Sequence, residues 1–123
     1  MGFSLKKHEI LRSKKSIQEL FENGSSFFLY PFKTFYLPNT GETCTQVLFT
    51  VPKKYFKKAV DRNLVRRRMR EAYRLNKNAL NSAQNESLSL SIALIYISKS
   101  KLSFNEIDDK LKQVIVRLNK VQS

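Results

Sequence analysis

The stretch that decides the reading is VPKKYFKK (51–58) running into AVDRNLVRRRMREAYRLNK (59–77). Its apolar residues recur at helical spacing and predict a helix from about Val60 to Lys77. Placed at about 100° per residue with Val60 at zero, Leu64, Leu75, Ala72, Val65 and Met69 fall between about 40° and 180°. Arg66, Arg70, Asn63, Arg74 and Arg67 fall between about 240° and 340°, a near-continuous row of guanidinium groups. Arg68 intrudes on the apolar side, where its stem would snorkel.

The same stretch concentrates the charge. The 123-residue chain carries 23 Lys and Arg against 10 Asp and Glu, a formal net charge of +13. Residues 51–77 alone hold a net +9, with Asp61 and Glu71 as the only acids, and the other 96 residues share +4. A merely soluble surface mixes signs to avoid the self-repulsion of such a block, so the expected partner is a polyanion.

Outward from the basic helix, the chain alternates in character. Ser16-Ile17-Gln18-Glu19 has a capping-box pattern, with Ile17, Leu20 and Phe21 at helical spacing and Gly24 as a stop, predicting a short first helix. Phe, Tyr, Val and Thr then dominate, predicting strands near 25–28, 32–37 and 45–51 with a turn at 38–43. Residues 78–87 read as a polar loop and Leu88 to Ile97 as a strand, apolar at its far end. Ser103-Phe104-Asn105-Glu106 is a second capping box, opening an amphipathic helix to about Asn119. The expected architecture is an α/β (α+β) sandwich, a small four-stranded sheet with helices in the order α-β-β-β-α-β-α. One domain is expected over 1–123, with 1–12 frayed.

Several classes are excluded by composition. The longest apolar run, Ile92 to Ile97, is far short of a membrane span, and no signal-peptide pattern follows the N-terminal charges, so a cytoplasmic protein is expected. A single Cys44 and a single His8 make neither a disulfide nor a metal cage, and no carboxylate pair or triad is evident, so no catalytic or metal-binding residue is expected in the protein. His8 reads as a surface residue and Cys44 as a reduced thiol near a turn.

Arg62-Asn63, the later Arg66-Arg67 and Arg70-Glu71 on one helix, and Lys53-Lys54 at the end of the preceding strand resemble the signature of the bacterial ribonuclease P protein component. The element order and length fit that family over nearly the whole chain. The resemblance implies a ribosomal-protein-S5-domain-2-like fold with a left-handed βαβ crossover through the basic helix. It also implies a protein subunit that performs no chemistry itself. A catalytic RNA subunit with bound Mg²⁺ would cleave precursor tRNA and release the 5′ leader. Asp61 departs from the family pattern, which more often has a basic or apolar residue before the Arg-Asn pair, and the 55–58 loop is longer.

For this chain the resemblance implies that Arg62, Asn63, Arg66, Arg67, Arg70 and Arg74, with Lys53 and Lys54, contact RNA. Arginine forks suit phosphate oxygens, and the i, i+4 spacing of Arg66, Arg70 and Arg74 aligns them along a backbone. Asn63 either bonds a base edge or caps the helix. A cleft between the basic helix and the sheet would hold the single-stranded leader, with Phe21 and Phe35 as stacking floor and Lys53 and Lys54 on leader phosphates. The alternative for both rings is the core; Tyr36, Tyr55 and Phe56 are lesser candidates for the cleft. Expected partners are the RNA subunit and precursor tRNA, with no membrane and no DNA. A ribosomal or ribosome-associated RNA-binding protein is the competing function.

Overall fold

A computed structural model describes residues 5–39, 44–81 and 89–121. Among the described residues, α1 (Lys14–Asn23), α2 (Ala59–Asn76) and α3 (Phe104–Val121) pack on a sheet of β1 (Ser25–Leu29), β2 (Phe32–Pro38), β3 (Gln46–Thr50) and β4 (Leu90–Tyr96). The sheet order is β1-β2-β4-β3. β1 pairs antiparallel with β2, β2 antiparallel with β4, and β3 runs parallel to β4. The parallel pair is joined through α2, so the basic helix is the crossover of a βαβ unit. The expected start of the last strand at Leu88, most of the 78–87 loop and part of the 38–43 turn lie outside the described residues.

Alternation along the strands divides the sheet into two faces. Phe32, Val47, Phe49, Ile92, Leu94 and Tyr96 face α2 and α3 and build the main core with Val65, Met69, Ile107, Leu111 and Leu118. Both faces of β4 are largely buried, which accounts for its almost unbroken apolar run. On the other face α1 places Leu20 against Ala93 and Leu11, with Ile17, Phe35, Leu37 and Leu48 around them. That smaller cluster leaves part of the face uncovered.

The helix caps divide the sequence expectations. Ser103 caps α3 as expected: its Oγ accepts the Glu106 N–H at 3.2 Å, and Glu106 Oε1 accepts the Ser103 N–H at 3.4 Å. The first capping box is corrected. α1 starts three residues earlier, at Lys14, with Ser13 Oγ accepting the Ser16 N–H at 3.3 Å. Ser13 and Ser16 are both N-cap residue types, and the earlier one wins because the helix then gains nearly one more turn. Gly24 does end α1, its N–H donating to Leu20 O at 2.9 Å.

Residues 5–12 differ from the expected frayed terminus. Leu11 is buried and donates its N–H to Val47 O at 3.0 Å, and Ile10 bridges Val47 in parallel. The chain thereby covers the outer edge of β3, whose backbone groups would otherwise stay unpaired.

Candidate nucleic-acid interface

The physics of α2 is a contest between its two faces. Val65, Met69, Ala72 and Tyr73 are the buried positions, so the buried arc is turned toward Tyr73 relative to the wheel reading. Val60 and Leu75, at the other edge of the predicted apolar arc, stay exposed. Burial pushes the Tyr73 phenol well above its ordinary range, with the Glu9 carboxylate adding to the rise. Arg68 lies on the packed side, its Nη1 donating to Leu102 O at 2.7 Å.

The opposite side of α2 is the arginine row. Asn63, Arg66, Arg67, Arg70 and Arg74 line an open groove of about 630 Å³, together with Glu71 and Leu5. Arg66 Nη1 donates to Asn63 Oδ1 at 2.8 Å, which holds that guanidinium along the helix. Arg74 grips Glu71 through two bonds of 2.9 and 2.7 Å, and these draw the Glu71 carboxyl below its ordinary range. Arg67 and Arg70 are exposed and make no ion pair among the described residues. Asn63 sits in the second turn, away from the N-cap Lys58, so its role as a cap of this helix is ruled out by position.

Arg62 stands apart from the row. Its Nη1 donates to Phe56 O at 2.9 Å and to Lys57 O at 2.8 Å, pinning the 55–58 loop against the start of α2. Asp61, beside it, pairs with Lys101 at 3.2 Å.

The partly uncovered sheet face holds the aromatic pair. Phe21 on α1 and Phe35 on β2 meet edge to face with centroids 4.9 Å apart. Phe21 is 40% exposed, and Phe35 is half-buried against the smaller cluster. Lys33 Nζ lies 5.3 Å from the Phe35 ring centre, a cation–π contact, and Phe28, 58% exposed, is the cross-strand partner of Lys33. Because α2 packs on the other face, the Phe21–Phe35 pair lies on the surface beside α1, not beneath the basic helix where the cleft is expected.

Lys53 and Lys54 are exposed in the turn after β3, with Lys54 Nζ 5.1 Å from the Tyr55 ring centre. Tyr36 packs toward the main core beside Phe27, and Phe56 is buried there. Sequence reasoning missed Lys33 and Phe28. The signal was present, since Lys33 and Phe35 are two apart on one strand and must share a face. His8 is exposed, and Cys44 Sγ donates to the His8 carbonyl at 3.3 Å. Among the described residues no three His, Cys, Asp or Glu side chains gather as metal ligands, and no helix is long and apolar enough to cross a membrane.

The family model described as ribonuclease P matches residues 5–119. A ribonuclease P protein component of Porphyromonas gingivalis is 33% identical over 119 residues, covering 94% of this chain and 87% of that protein. One from Chlorobium phaeobacteroides is 40% identical over 126 residues, covering 94% and 85%. Among solved structures, the RNase P protein of Staphylococcus aureus superposes with a TM-score of 0.74 at 21% identity, covering 94% of this chain and 98% of that one. The RNase P protein from Thermotoga maritima gives 0.73 at 24%, covering 89% and 96%. At those identities the structural likeness speaks for the fold.

Proposed function

Since the chain belongs to the ribonuclease P protein component family, and is thus a subunit of the tRNA-processing nuclease ribonuclease P, we propose that it binds two RNAs on two surfaces. The arginine row of α2 takes phosphates of the enzyme's RNA subunit. The aromatic floor of Phe21 and Phe35 takes unpaired bases of the precursor tRNA 5′ leader, with Lys33, Lys53 and Lys54 near its phosphates. Aromatic faces accept any base, which suits a protein that meets many leader sequences.

The observation that carries this reading is the Phe21–Phe35 pair, with Phe21 exposed and Phe35 half-buried, beside Lys33 on the sheet face that α2 does not cover. A single phosphate-binding helix serves many RNA-binding proteins. A second, separate stacking platform is what a protein needs to hold a structured RNA and a single strand together.

In this reading bond cleavage belongs to the RNA subunit, and Mg²⁺ bound there supplies the hydrolytic chemistry. The part played by this chain is electrostatic and positional. With +13 of charge it lowers the repulsion between two polyanions, chiefly through counterion release. Arg66, Arg67, Arg70 and Arg74 set the register on the RNA subunit, Asn63 holds Arg66 in line, and Arg62 contributes by keeping the 55–58 loop in place. Reconstitution tests the reading: this chain added to ribonuclease P RNA at low Mg²⁺ should stimulate cleavage of precursor tRNA at the 5′ end of the mature sequence. Absence of stimulation would overturn it.

A further inference from the structure

The arginine groove has a wall that α2 does not supply. Leu5 lines it, and the chain then turns away through a short 3₁₀ turn, Lys7–Glu9, to reach the edge of β3. At that turn Glu9 Oε1 and Oε2 lie 2.9 and 3.0 Å from Lys77 Nζ, directly after the last residue of α2. The Lys77 side chain is 8% accessible and that of Glu9 is 17%. Glu9 Oε2 also accepts the Lys6 N–H at 2.8 Å, and the His8 carbonyl accepts from Gln46 Nε2 at 3.0 Å.

We propose that residues 5–9 are the second wall of the RNA groove, and that the Glu9–Lys77 pair is the clasp that sets this wall against the arginine row. The inference rests on the reading of α2 as the contact with the RNA subunit. A lysine at the end of a basic helix would gain most from pointing to solvent, where it adds one more phosphate contact. Here it is withdrawn and buried instead. Burying an ion pair offers little stability over an apolar pair, and its better-attested use is to fix one arrangement among several. The arrangement fixed here joins the end of α2 to a segment 68 positions away in sequence.

The occupant is identified by charge. Lys6 and Lys7 are exposed next to Leu5, and the one acid in the groove, Glu71, is already gripped by Arg74. A groove with arginines along one side, lysines next to the other and an apolar lining residue between suits a phosphodiester backbone flanked on both sides. Lys6, Lys7 and Glu9 thus act on the same RNA subunit as the arginines, the first two by direct contact and Glu9 as a positioning residue.

The test is binding of the full chain to ribonuclease P RNA across a salt series, well below each variant's melting temperature. Lys6→Ala with Lys7→Ala should weaken binding and make the slope of log affinity against log salt shallower by roughly 1 to 2 units, the range for two lost phosphate contacts. An unchanged slope overturns the wall. Glu9→Gln gives the sharper sign. It raises the net charge next to a polyanion, so without a positioning role it should bind as tightly as the parent or tighter. The clasp predicts severalfold weaker binding; equal or tighter binding overturns it. Arg66→Ala with Arg70→Ala, run alongside, reads the underlying assignment of α2. If that variant binds normally, the reading of α2 fails; if only the Lys6, Lys7 and Glu9 variants bind normally, this inference fails alone.

Discussion

The guanidinium of Arg68 donates to the main-chain carbonyl of Leu102, 2.7 Å away, while Arg66, two residues earlier on the same helix, donates to Asn63 one turn back. Two adjacent-looking arginines in one basic run therefore have different tasks. One ties α2 to the segment that leads into α3, and the other faces the groove.

That difference gives the first prediction. Arg66→Ala should make the salt slope of RNA-subunit binding shallower by roughly 0.7 to 0.9 units, the contribution of one phosphate, with little change in melting temperature. Arg68→Ala should leave the slope nearly unchanged and cost about 1–2 kcal/mol of stability, since a charge-assisted bond to a carbonyl and the packing of the stem are lost together. Filter binding at several salt concentrations and thermal melts separate the two.

Removing the stacking floor should act on a different ligand. Phe21→Ala and Phe35→Ala should each weaken precursor tRNA binding by about 1–3 kcal/mol per lost stacked base. Affinity for a tRNA without a leader, and for the RNA subunit alone, should stay near the parent value. Equal losses with and without a leader would place both rings outside the leader path.

Gly24 should resist even alanine. Its φ of −73° suits any residue, so the constraint is proximity and not handedness. A Cβ there would collide with Leu20 O and lie 3.0 Å from Tyr36 O, both backbone atoms with little room to move. Gly24→Ala should destabilise by about 1–3 kcal/mol, as overpacking does, in urea melts. Because α1 carries Phe21, leader affinity should fall with it.

Thr34 offers the opposite sign. It lies on β2 fully buried on the α2–α3 side, and its Oγ1 has no hydrogen-bond partner among the described residues. Thr34→Val keeps the shape and removes an unsatisfied hydroxyl, so stability should rise by about 1 kcal/mol. A melt that shows a loss would mean that a water or a residue outside the described segments serves that hydroxyl.

Acid should open the Glu9 clasp. Burial raises the Glu9 carboxyl, but the Lys6 N–H, the Lys77 hydrogen bonds and the charges of Lys77 and His8 outweigh it, leaving it below its ordinary 4.5. A depressed carboxylate contributes stability that is fully present above its unfolded value and lost as pH falls through the lower folded one. Amide exchange at Lys6 and Leu11, read with the pH dependence of intrinsic exchange removed, should show protection held at pH 6 and declining below about pH 4.5. Glu9→Gln should abolish that pH dependence.

Much of this was legible in local pattern. The element order, the capping of α3 by Ser103 and the arginine row of α2 all follow from spacing along a few turns. What escaped depended on distant partners. Lys77 reads as one more surface charge until Glu9 is brought to it, and residues 5–12 read as part of a frayed terminus because nothing nearby shows that β3 has an edge to cover. Arg62 looked like the head of the arginine row, yet its bonds go to Phe56 and Lys57, a choice set by the loop's path. The buried arc of α2 turned toward Tyr73 because the helix packs between β3 and α3, and a wheel knows nothing of where its neighbours stand.

The position of β4 between β2 and β3 also sets a schedule for synthesis on the ribosome. Of the three strand pairs in the sheet, only β1–β2 can form before residues 90–96 exist, because the other two both include β4. α2 is therefore made well before α3, the helix it packs against, and its arginines emerge on a chain that has no completed sheet. During that interval the nascent segment is a flexible polycation among ribosomal RNA, where non-specific phosphate contacts are strong. Arrival of the last third of the chain converts it, in one long-range step, from a sticky tail into a shaped surface.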